Sequence, residues 1–91
     1  MRTLIKLEIP VEAGNAAIKN GSLQQTMQKV MKDLRPESAY FGIMNGKRGA
    51  FLVVDLPDAP DMSRVAEPFF QLSGSVEMCP VMTFEEVAAG L

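Results

Sequence analysis

The 91-residue chain predicts an α+β domain of βαββαβ order. Three observations carry this. Four segments have alternating apolar residues, one segment has apolar residues at helical spacing while a second opens on helix-start signals, and Asn45-Gly46 sits between two of the alternating runs as a tight hairpin signal. The expected sheet is four-stranded and antiparallel in the order 4-1-3-2, with the helices on one face and a short helix at the C-terminal end.

The opening run Thr3-Leu4-Ile5-Lys6-Leu7-Glu8-Ile9 alternates as a half-buried strand does, and Pro10 ends it. From about Glu12 the residues become helix-compatible. Leu23, Met27, Val30, Met31 and Leu34 then mark one helical face, until Pro36 forces a stop. Asn20-Gly21 interrupts this stretch, and Ser22-Leu23-Gln24-Gln25 reads as a capping box, so both one helix and two are open; the single helix is favoured. Ala39 to Met44 and Gly49 to Leu56 form the two strands of the hairpin around Asn45-Gly46-Lys47-Arg48, because Asn and Gly accept positive φ at low cost. Asp58, Pro60 and Asp61 start a second helix that runs to about Gln71, with a kink expected at Pro68. Val76 to Met82 is the fourth strand. Thr83-Phe84-Glu85-Glu86 is a capping box for the last short helix.

One hydrophobic core is all that a chain of this size builds, so residues 1–91 are expected to be a single domain. A sheet with one bare face would be marginal in so small a domain unless a partner covered it. Nine Lys and Arg against eleven Asp and Glu give a net charge of −2, which lacks the basic footprint of nucleic-acid binding and disfavours anionic membranes. No run approaches the roughly 20 apolar residues of a membrane span, and Met1 leads into an alternating segment rather than a signal peptide, so a cytoplasmic location is expected. There is no histidine and one cysteine, Cys79. Ordinary zinc sites, histidine-dependent catalysis and histidine-ligated haem drop out, and no cofactor is expected.

The alternation also sorts the strands into faces. One set, Thr3, Ile5, Leu7, Ile9; Ala39, Phe41, Ile43; Ala50, Leu52, Val54, Leu56; and Val76, Met78, Pro80, Met82, is nearly all apolar and is predicted to face the helices. The opposite set mixes Leu4, Met44, Phe51, Val53 and Val81 with Arg2, Lys6, Glu8, Asp55 and Glu77, and includes Tyr40 and Cys79. It is too apolar for solvent and too charged for a dry core, which a second sheet stacked on it would explain.

With this open face, the chain resembles the dimeric α+β barrel superfamily, whose protomers are ferredoxin-like and pack sheet to sheet. The resemblance spans nearly the whole length. The stretches Lys47-Arg48-Gly49-Ala50-Phe51-Leu52-Val53-Val54-Asp55 and Glu77-Met78-Cys79-Pro80-Val81-Met82-Thr83 look like those of its small uncharacterised bacterial members. It implies a homodimer through the open face and an interior that takes a small, mostly apolar molecule, with cofactor-free chemistry on an activated carbonyl or aromatic substrate if the protein is an enzyme. The alternative is a non-catalytic protein whose open face serves only self-association.

Glu8 and Glu77 are predicted at one end of the open face, where two carboxylates could raise one pKa and make a general acid or base. Lys6 could neutralise them instead, and Arg2 is expected near Asp55. An ion-pair network that fixes dimer register is preferred over catalysis. Cys79 beside Lys6 is a candidate nucleophile without a histidine base, and its bland reading is a small hydrophobe. Tyr40 could orient a ligand or anchor the seam. Tyr40, Met44, Phe51, Val53 and Cys79 are the expected ligand wall. Arg48-Gly49-Ala50-Phe51-Leu52-Val53 partly matches the third-strand signature of RNA-recognition domains, but it lacks an aromatic between Gly49 and Ala50 and a first-strand aromatic opposite, so RNA is set aside.

Overall fold

A computed structural model describes all 91 residues. Its elements are β1 (Arg2–Ile9), α1 (Val11–Lys19), α2 (Ser22–Leu34), β2 (Ser38–Met44), β3 (Lys47–Asp55), α3 (Pro60–Phe70), β4 (Ser75–Pro80) and α4 (Phe84–Gly90). The sheet runs β2-β3-β1-β4 with every neighbouring pair antiparallel, which is the predicted order read from the other edge. Two of the four helices make the first crossover, and α4 follows the last strand.

The split between α1 and α2 corrects the single-helix expectation. Gly21 takes φ +80°, a left-handed conformation that costs glycine no Cβ clash, and the Asn20 side chain accepts from the Ser22 amide at 2.8 Å. Ser22 is therefore not the cap of a capping box: Gly21 occupies that position with no side-chain bond. In the hairpin the turn shrinks to Asn45 and Gly46, both at positive φ (54° and 73°), so Lys47 and Arg48 already belong to β3. Asp58 does not cap α3 through its side chain; Asp61 reaches back to accept from the Asp58 amide at 3.1 Å. Thr83 and Glu86 do close the predicted capping box on α4.

The core lies between the helices and one sheet face. Ile5, Leu7, Ala50, Leu52, Val54 and Leu56 meet Val30 of α2 and Val65 and Phe69 of α3, with Met27, Met31 and Leu34 packed against them. Ile5, Leu52 and Phe69 are fully enclosed, each worth about 1.5–3 kcal/mol of apolar burial. Four predicted members of this face are not in the core, Pro80 at the exposed end of β4 among them. Phe41 and Ile43 keep 60% and 82% of their surface exposed, because the helix layer stops short of edge strand β2. Met82 lies beyond the end of β4, which terminates at Pro80, and is 65% exposed.

Helix α4 stands off this body, with every residue exposed. The radius of gyration, 14.1 Å, accordingly exceeds the roughly 12 Å of a compact chain of this length.

Candidate functional site on the open face of the sheet

Register fixes what the open face presents. Directly opposed residues on antiparallel strands share a face, so the pairings across β2, β3, β1 and β4 define rows. One row reads Tyr40, Phe51, Lys6, Glu77. The next reads Ser38, Val53, Leu4, Cys79, and on the other side lie Gly42, Gly49, Glu8 and Ser75. Two aromatic side chains, a cation and an anion thus stand shoulder to shoulder across the middle of the sheet. Tyr40 is 72% exposed and Phe51 38%. Leu4, Met44, Val53 and Val81 are half-buried, and no helix covers any of them.

Met44 lies over Gly49. A Cβ there would strike the Met44 side chain and come within 2.7 Å of the Leu7 carbonyl oxygen, so this position needs glycine for space.

The carboxylates share the face without forming a dyad. Glu77 is opposite Lys6 and Glu8 opposite Ser75, which makes Glu8 and Glu77 diagonal neighbours, about 7–8 Å apart by sheet geometry. Glu8 Oε1 accepts a hydrogen bond from the Asn45 side-chain amide, at the hairpin on the far side of β1 from β4. That contact turns Glu8 away from Glu77. Lys6 makes none of the chain's four ion pairs, so in the single chain it and Glu77 face each other without joining. Cys79 is exposed, and its thiol donates to the Pro80 carbonyl at 3.4 Å.

At the opposite end of the face, Arg2 lies opposite Asp55 as expected but makes its ion pairs elsewhere. Asp55 accepts from the Met1 amino group at 2.7 Å, while Arg2 reaches Glu37 at 3.5 Å and Glu86 of α4 more closely. The hydrogen bond from Arg2 to Glu86, the charge of Glu86 and the charge of Glu37 together raise the Arg2 pKa above its ordinary value. The Thr83 backbone amide, then the Arg2 side chain, hold the Glu86 carboxyl below its ordinary range. Sequence reasoning missed this link, although a capping-box glutamate already had a fixed position from which to pair.

It also missed a recess on the helix side. A cavity of about 250 Å³ opens beside β2, lined by Leu23, Met27, Phe41 and Ala50 among others, where the helix layer ends. The signal was available: Phe41 and Ile43 fall on a strand that the 4-1-3-2 order places at an edge.

No family model matches the chain, and no curated protein sequence does. Among solved structures its fold is similar to that of 5-chloro-2-hydroxyhydroquinone dehydrochlorinase from Burkholderia phenoliruptrix AC1100, determined in complex with 2,5-dihydroxybenzoquinone. The TM-score is 0.71 over 94% of this chain and 98% of that one, at 13% identity. At that identity the likeness speaks for the fold, which is α+β and ferredoxin-like. No helix is long and apolar enough to cross a membrane.

Proposed function

We propose that the chain is a single cytoplasmic domain acting as a homodimer, in which two open sheet faces meet and enclose a chamber for a small, mostly apolar molecule. The observation that carries this is the row Tyr40, Phe51, Lys6, Glu77, flanked by Leu4, Val53 and Cys79: an apolar surface with charges set into it and no cover within the chain. Stacking two such faces buries the aromatic side chains and leaves Lys6 and Glu77 where they can hold the polar end of a guest. The dehydrochlorinase of similar fold holds a small quinone, and the class carried over is a compact ring-bearing molecule. If chemistry takes place, it is cofactor-free. Glu77, Lys6, Tyr40, Cys79 and Glu8 are the groups available to move a proton or attack a carbonyl.

A second reading, self-association alone, draws support from Glu8, whose tie to Asn45 leaves no pair of facing carboxylates. The two readings separate in one experiment. Tyr40 is the chain's only tyrosine and there is no tryptophan, so intrinsic fluorescence reports directly from the proposed chamber. Titration with 2,5-dihydroxybenzoquinone and simple phenols should quench it saturably in the dimer and not in Phe51→Asp. Fluorescence that ignores every member of the panel leaves self-association as the function.

A further inference from the structure

A dimer through the open face cannot cover Phe41 and Ile43. Their side chains are on the opposite side of β2, opposed to Ala50 and Arg48 on the helix face, and both are exposed to solvent at 60% and 82%. The backbone of β2 is equally unfinished, since an edge strand pairs on one side only and leaves alternate N–H and C=O groups free.

The two edges of the sheet are protected very differently. Strand β4 has six residues, carries Glu77 and ends in Pro80, both devices that discourage strand addition. Strand β2, Ser38-Ala39-Tyr40-Phe41-Gly42-Ile43-Met44, is seven residues long with no charge and no proline.

We propose that β2 is a second self-association seam, pairing antiparallel with β2 of another copy about a two-fold axis at Phe41. The sequence is complementary to itself in that register. Phe41 faces Phe41, the small Ala39 faces the large Ile43, and Tyr40 faces Gly42, with each pair on a common side of the joined sheet. Gly42 supports this pairing independently. Its φ is not in the left-handed region, and a Cβ built there meets nothing within 4 Å, so nothing inside the chain calls for glycine. A large side chain from a neighbouring strand does.

The aromatic and aliphatic side chains of Phe41 and Ile43 from two copies cover on the order of 500 Å², well below the roughly 1,200 Å² at which ordinary specific interfaces begin. This seam is thus the weaker of the two. It joins dimers already formed through their open faces, giving a tetramer with two kinds of two-fold contact.

The test is the solution mass of Ile43→Lys by light scattering, with amide hydrogen exchange across β2. Ile43 is too exposed for the substitution to disturb the fold. Over a concentration series reaching the millimolar range, the parent chain should approach four chain masses and the substituted chain should stop at two, and the β2 amides that point away from β3, slowed in the parent at high concentration, should stay fast in the variant. An unchanged mass, or outward amides that stay fast in the parent chain at high concentration, overturns the seam. Failure of the open-face reading shows separately, as an unchanged mass in Phe51→Asp.

Discussion

Strand β1 belongs to both faces of the sheet, and its two sets of side chains meet opposite fates. Thr3, Ile5, Leu7 and Ile9 are 5% exposed or less, whereas Arg2, Leu4, Lys6 and Glu8, interleaved with them, stay half-buried at best. The first set is completed by α2 and α3 of the same chain. The side chains of the second bond only to Glu37 and Glu86, through Arg2 at one end, and to Asn45, through Glu8 at the other. A face that is apolar, charged in places and uncovered is what the proposed dimer would bury, and the covered face is the reason the domain folds.

The largest effect expected from this contrast is on the covered side. Leu52→Ala empties a site with no exposure and should lower stability by about 2–5 kcal/mol in chemical denaturation, at fixed protein concentration because assembly adds to apparent stability. A loss near zero would mean that the helix layer does not hold the core described here. Phe51→Asp comes next. It places a carboxylate beside Tyr40 and Lys6 in the seam, and should weaken the face-to-face dimer by about 2 kcal/mol or more while the monomer fold survives, measured by sedimentation over a concentration series.

Lys6→Met should be milder, weakening the dimer by about 1–3 kcal/mol through a Glu77 left without its facing cation. If the carboxylates work as an acid or base, a Glu pKa rises on the same substitution and appears in a carboxyl NMR titration while the dimer persists. Neither change would place Lys6 and Glu77 in open solvent and break the assignment of the interior.

The smallest effect concerns α4, held to the sheet by an exposed ion pair that salt and solvent weaken. Because the Glu86 carboxyl is lowered in the folded chain, its contribution is present above the ordinary carboxylate value of 4.5 and is lost as pH falls through the lowered value. The amide signals of α4 should shift in that acid range, and Glu86→Gln should abolish the shift without altering the melting temperature appreciably.

Alternation in the strands assigned the two faces, because a period of two leaves each side chain only one side to occupy, and the sheet order followed from the βαββαβ arrangement. The hairpin was legible for a similar reason, in that Asn45-Gly46 fits few other backbones. Helix coverage was legible only through the strand order, which puts β2 at an edge. Alternation reports which side Phe41 and Ile43 take, but not whether a helix reaches over an edge strand to meet them. The carboxylates were legible as neighbours, since topology brings Glu8 and Glu77 onto adjacent strands and one face, whereas the local contact from Asn45 that turns Glu8 aside was not. Pairing partners chosen at the ends of strands, such as Glu86 for Arg2, depend on a following helix whose position strand periodicity does not encode.

The central claim is that the open face is an interface, and it is tested most directly by light scattering at micromolar concentration on Ile43→Lys, in which the β2 edge is blocked and only the face seam remains. The account predicts a particle of twice the 9.9 kDa chain mass, falling to a single chain when Phe51→Asp is added. A single chain in Ile43→Lys alone, or a dimer that survives both substitutions, would contradict it.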